Sequence, residues 1–140
     1  IGVVSDDVLQ TMISYGLESY INNLGYVSHE EAIEQQMASR VLLMVEIDSE
    51  DTKVIIPGKV FEYMASGTPI VAIGPKDSDV ETILKSTNTG HYFYYDDKAR
   101  IKSQILSYFE AYKSNTLVVN AIGLEQYSRK SLTKRLSEII

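Results

Sequence analysis

Cysteine is absent from the chain, which excludes both a disulfide framework and a thiolate site. No apolar run approaches the length that crosses a bilayer, and no signal-peptide pattern opens the sequence. Basic residues are scarce: 13 Lys and Arg stand against 19 Asp and Glu, for a net charge of −6. A general nucleic-acid binder needs clustered bases to neutralise phosphates, so no nucleic-acid partner is expected. The two histidines, His29 and His91, lie far apart in the chain and offer no metal-ligand spacing. Internal repeats and low-complexity segments are also missing. The chain starts at Ile1 rather than at a methionine, as a piece cut from a larger protein would.

What is present suits one ordinary globular domain spanning residues 1–140. Its 44% apolar and 23% charged content is enough for a single core, and a cytoplasmic setting fits. The charge is uneven. Residues 1–95 carry 14 acids and 5 bases, whereas residues 96–140 carry 5 acids and 8 bases. The surplus of bases reads as a solvated terminal helix, or else as a patch facing a partner or a membrane surface. Arg129, Lys130, Lys134 and Arg135 lie there beside an apolar line of Leu132, Leu136 and Ile140. That arrangement suits weak, salt-sensitive peripheral contact with an anionic membrane.

Apolar periodicity predicts strands and helices in alternation. Ile1–Val4 reads as a strand, followed by Ser5, Asp6 and Asp7 at a helix start, with Val8, Leu9, Met12 and Ile13 at helical spacing. Tyr20–Leu24 reads as a second strand closed by Gly25. Ser28 to Glu31 has capping-box spacing before a helix with Ile33 and Met37 on one face. Val41–Val45 is continuously apolar, as a strand buried on both faces would be. Pro57 and Gly58 open a helix that should turn Val60, Phe61, Met64 and Ala65 inward, with Gly67 as its C′ residue. Pro69–Ile73 is the next strand, Ser78–Glu81 caps the next helix, and Tyr92–Tyr95 is the fifth strand. A long helix through Ile101, Ile105, Tyr108, Phe109 and Tyr112 follows, then one or two terminal helices.

Five apolar strands alternating with helices predict an α/β domain. The expected form is a doubly wound, Rossmann-like, mostly parallel sheet with helices on both faces. Ligands of such sheets sit beyond the C-terminal strand ends. The loops that matter are therefore Ser5–Asp7, Gly25–Ser28, Ile47–Gly58 and Gly74–Ser78.

The most informative stretch runs from Ile56 to Ala72: IPGKVFEYMASGTPIVA. A proline and a glycine precede a helix whose free N-terminal amides suit an anion, and Lys59 would add a full charge. Glu62, one turn later, is able to take two hydrogen bonds from a ribose diol. From spacing alone, a local Lys59–Glu62 ion pair is the simpler reading.

This run resembles the signature of retaining glycosyltransferases of the GT-B fold, family 4 type, specifically their C-terminal donor-binding domain. The resemblance implies that Glu62 binds the donor's ribose hydroxyls, and that Gly58, Lys59 and Val60 contribute amides to the diphosphate and sugar. Gly25-Tyr26-Val27-Ser28 is similar to the family's strand–glycine–x–valine turn, whose backbone reads the nucleobase. Ser28 caps a helix there in either case. The similarity spans about residues 1–112, but only Pro57–Ala72 is specific. One departure stands out. The family carries a first glutamate seven residues before the second, and Val54 occupies that position here. Lys53, Asp51 and Glu50 are the nearby polar candidates for its sugar contact.

The resemblance further implies a UDP- or GDP-sugar donor, no metal or other cofactor, and an acceptor glycan or lipid-linked glycan on a missing N-terminal domain. The expected setting is bacterial polysaccharide synthesis. The family also places a basic strand–helix unit before Gly2. This piece alone would then hold half an active site, contain no catalytic residue and transfer nothing. Two alternatives stay open: a nucleotide-sugar epimerase of the same fold, and a binding module without catalysis. Elsewhere, His29 reads as a solvated group, Asp48, Glu50 and Asp51 as an exposed acidic loop, and Tyr92–Tyr95 as a half-buried strand.

Overall fold

The computed structural model describes residues 1–49 and 54–139. The chain divides into two compact units, Ile1–Gln35 and Gln36–Ile140.

In the first unit, α1 (Asp6–Ser14) starts after an extended Ser5 and places Asp6 and Asp7 in its first turn, where they meet the positive end of the helix dipole. A 3-10 turn covers Glu18–Tyr20. The helix α2 (His29–Ala38) begins as the capping spacing predicts, the Glu31 amide donating to Ser28 Oγ at 3.1 Å. The two strands expected here, Ile1–Val4 and Tyr20–Leu24, do not form. Their segments meet through one backbone bond, Gly2 N–H to the Gly25 carbonyl at 2.6 Å, without a ladder. A helix satisfies its own backbone, whereas a strand is stable only against a partner. No described residue of this unit is buried.

The second unit is built on a parallel sheet of three strands rather than five: β1 (Leu42–Val45), β2 (Ile70–Ile73) and β3 (Gly90–Phe93), in that order. Between them run α3 (Lys59–Ser66) and α4 (Asp79–Thr87). Register sets Met44, Ala72 and Tyr92 side by side. Because the strands follow in chain order, right-handed crossovers bring α3 and α4 to one face. The core lies there: Met44, Ile70, Ala72 and Tyr92 pack with Val60 and Met64 of α3 and Val80, Ile83 and Leu84 of α4. Gly90 permits this register, since a Cβ at that position would collide with the Ile70 backbone carbonyl. Gly67, at φ 73°, closes α3 in the left-handed conformation that glycine adopts without strain.

The opposite face is only partly covered. Leu43 and Val45 are 60% and 53% exposed, so β1 is buried on one face and not on both. At the β3 end, His91 meets α5 (Lys98–Lys113) through Tyr108 OH, 2.7 Å from its Nδ1. β3 also ends two residues earlier than expected. Tyr92 and Phe93 are buried, while Tyr94 and Tyr95 are half-buried beyond the strand. On α3, Phe61 and Ala65 stay exposed instead of turning inward.

After α5 the chain returns across the α4–β3 turn, the Ile122 amide donating to Thr87 O and Asn88 Nδ2 to Asn120 O, both at 2.9 Å. A 3-10 turn, Leu124–Tyr127, packs Leu124 and Tyr127 on the core. The last helix, α6 (Arg129–Ser137), carries the four bases and buries nothing, with Leu132 and Leu136 46% and 57% exposed. Among the described residues no helix is long and apolar enough to cross a membrane.

Candidate functional site

The C-terminal end of β1 and the N-terminus of α3 frame a cavity of about 210 Å³. Val45, Glu46, Ile47, Ile55, Pro57 and Lys59 line it. Gly58, in αR conformation, supplies no side-chain cap to the helix end. The Val60 amide donates to Pro57 O at 3.0 Å and the Phe61 amide to Gly58 O at 3.1 Å. Those bonds leave the amides of Gly58 and Lys59 as the open donors of this helix end among the described residues. Val60 itself is wholly buried in the core. Its place in the signature is that of a packing residue whose amide is already engaged.

Lys59 and Glu62 are both exposed, and no ion pair joins them. Among the described residues Glu62 makes one long hydrogen bond, accepting from Gln36 Nε2 at 3.5 Å. Both side chains are therefore open to a ligand, and the local ion pair that spacing favoured is not made. Val54 is 75% exposed. Lys53, Asp51 and Glu50 lie outside the described residues. Gly25, Tyr26 and Val27 belong to the first unit. Gly25 adopts φ 63° and its carbonyl accepts from Gly2, Val27 is half-buried, and Tyr26 is 86% exposed.

Sequence reasoning passed over the residue that organises this edge of the sheet. Glu46 follows β1 directly and is 6% exposed. Its carboxylate accepts from Ser78 Oγ, at 3.0 and 3.1 Å to its two oxygens, and from Tyr92 OH. Ser78 Oγ in turn caps α4, accepting from the Val80 amide at 3.1 Å. Tyr92 OH also lies 2.9 Å from Pro75 O. The Glu46 amide donates to Ile73 O at 2.8 Å, and its carbonyl accepts from Tyr95 OH at 2.9 Å. One residue thus ties together the ends of all three strands and the Gly74–Ser78 loop. Gly74 makes room for it, since a Cβ there would strike Tyr92 OH and the Glu46 carboxylate. Burial, and then the bond to Glu46, pushes the Tyr92 phenol well above its ordinary range, so it remains a donor. The available signal was an acidic residue ending an apolar strand, since a carboxylate is rarely buried unless paired.

Ser78 does cap α4 as its spacing predicts, but Glu81 does not complete the box. It turns to Lys85 Nζ at 2.6 Å and Tyr94 OH at 3.1 Å. His91, on β3, is exposed on one side and packs its ring against Tyr108 of α5 on the other, and this partial burial holds its imidazole below the ordinary value.

Comparison with known protein families, curated proteins and solved structures returned no match.

Proposed function

We propose that this chain binds a nucleoside-diphosphate sugar, UDP- or GDP-linked, as the donor-binding part of a retaining glycosyltransferase whose acceptor is held elsewhere. One observation carries the reading. At the C-terminal edge of a parallel sheet, the start of α3 offers two open amides and the Lys59 ammonium, and an exposed Glu62 follows one turn later. A diphosphate is the ligand such an end attracts, because helix amides and a lysine both favour negative charge. A carboxylate one turn on suits a diol, taking a hydrogen bond from each hydroxyl. The leaving diphosphate of glycosyl transfer would be stabilised by the same donors.

Titration calorimetry of the full-length protein with UDP and with GDP tests this. Glu62→Ala should weaken the bound nucleotide roughly ten- to a hundredfold, the loss of a charge-assisted hydrogen-bond pair worth about 1.5–3 kcal/mol. Thermal stability should stay put, because Glu62 is exposed and holds no ion pair among the described residues. Unchanged affinity in the Ala variant, or no binding of either nucleotide, sinks the proposal.

A further inference from the structure

We infer that α6 docks on an anionic lipid surface, lying flat on it with its leucines inward and its bases against the headgroups. The inference is independent of the donor-binding reading. The helix is tied to the rest of the chain lightly. Ser128 Oγ caps it, accepting from the Ser131 amide at 3.2 Å, and the Arg135 guanidinium donates to Gln126 O at 3.0 Å. Of its nine residues only Ser131 is as much as half-buried. Leu132 and Leu136, one turn apart, share a face that Ile139, 82% exposed, extends in the turn beyond. Ile140 lies outside the described residues. The leucine face is open to solvent.

Charge decides what covers it. α6 carries four bases and no acid, with Glu138 just past its end, in a chain whose net charge is −6. None of the four bases holds an ion pair among the described residues. Arg129 and Arg135 stand three residues before and after Leu132, so they border the leucine line. Lys130 and Lys134, four apart, form a second row behind it. A helix about 10 Å across lies within roughly one Debye length at 0.1 M salt, so both rows feel a surface on which the helix rests. A water-soluble polyanion would satisfy the bases and leave the leucines in water. An anionic bilayer covers both, and it repels the acidic remainder of the chain, which turns α6 toward it. Nine residues are far too few to span, so the contact is peripheral.

Co-sedimentation of the full-length protein with vesicles tests it, using phosphatidylcholine alone and phosphatidylcholine with one third phosphatidylglycerol. Binding is expected only to the anionic vesicles at about 0.1 M salt, with its loss at about 1 M, where the Debye length falls to about 3 Å. Arg129→Gln, Lys130→Gln, Lys134→Gln and Arg135→Gln combined should lower the partition coefficient about a hundredfold, each base being worth roughly three- to fivefold near such a surface. Leu132→Ser with Leu136→Ser should lower it about tenfold at unchanged charge. All six positions are exposed, so the melting temperature should move little in either variant. In Leu136→Trp, the emission added over wild type should shift to the blue with anionic vesicles and not with neutral ones. Equal binding to the two kinds of vesicle, or a Gln variant that binds as wild type does, overturns the proposal. So does a Leu136→Trp emission that ignores the anionic vesicles to which the protein binds. No binding to either kind at low salt also overturns it, and leaves the face of α6 to an acidic protein partner.

Discussion

Residues Ile1–Gln35 and Gln36–Ile140 have similar apolar patterning, yet every buried side chain among the described residues belongs to the second unit. The difference separates two kinds of signal. Helix starts are local: Ser5, Ser28, Ser78 and Ser128 each precede a helix, and three of them accept a first-turn amide. Strands are collective. The segment Ile1–Val4 is nearly as apolar as Leu42–Val45, and Tyr20–Leu24 is apolar apart from Asn22 and Asn23, but among the described residues only Leu42–Val45 finds a strand partner, in Ile70–Ile73. Apolar pattern alone specifies which face would be buried, not whether anything arrives to bury it.

Paired truncations break or sharpen that contrast. Leu84, wholly buried in the core, should lose about 2–5 kcal/mol on change to Ala, through lost transfer energy and the cavity left behind. Val8, 49% exposed on α1, should change stability by less than about 0.5 kcal/mol as Val8→Ala. Urea unfolding at constant m reads both. Similar losses at the two positions would mean that the first unit has a core of its own.

A smaller effect is expected at the edge of the sheet. Glu46→Ala removes the acceptor of two buried hydroxyls and should cost about 1–3 kcal/mol. Glu46→Gln keeps the shape and one acceptor oxygen, so its midpoint should fall between those of wild type and Ala. An Ala variant as stable as wild type would show that Ser78 and Tyr92 find other partners without loss.

The smallest effect is a pH dependence. Burial lowers the His91 pKa from its ordinary 6.5, so the unfolded chain takes up this proton first. The associated stability is fully present above 6.5 and is lost as pH falls through the folded-state value. Tyr108, pushed up to about 12 by burial, keeps its proton throughout. Thermal melts at pH 7.5 and 5.5 should therefore differ less in His91→Asn than in wild type. An equal difference removes His91 from the pH response.

Much of the second unit was legible before folding was considered. The three strands, the helices between them and the Gly67 stop follow from period, caps and punctuation, because each is decided within a few residues. The two missing strands, the open face of β1 and the early end of β3 were not legible, since each depends on a neighbour distant in sequence. At the candidate site the same division holds. Lys59 and Glu62 stand on the predicted helix, exposed as a ligand would need. Glu46 escaped notice because its role is written in Gly74, Ser78 and Tyr92, 28, 32 and 46 residues further along.

The order β1-β2-β3 also bears on how the second unit comes into being. Each strand pairs with the next one in the chain, Leu42 with Ile70 and Ile70 with Gly90, across spans of 28 and 20 residues. Closing the shorter span costs about 0.3 kcal/mol less entropy than closing the longer, a difference too small to delay either. What governs speed is instead that no strand must pass over another to find its place. Parallel sheets are slow when their pairings are remote. Here the search for every strand's partner ends after a single crossover.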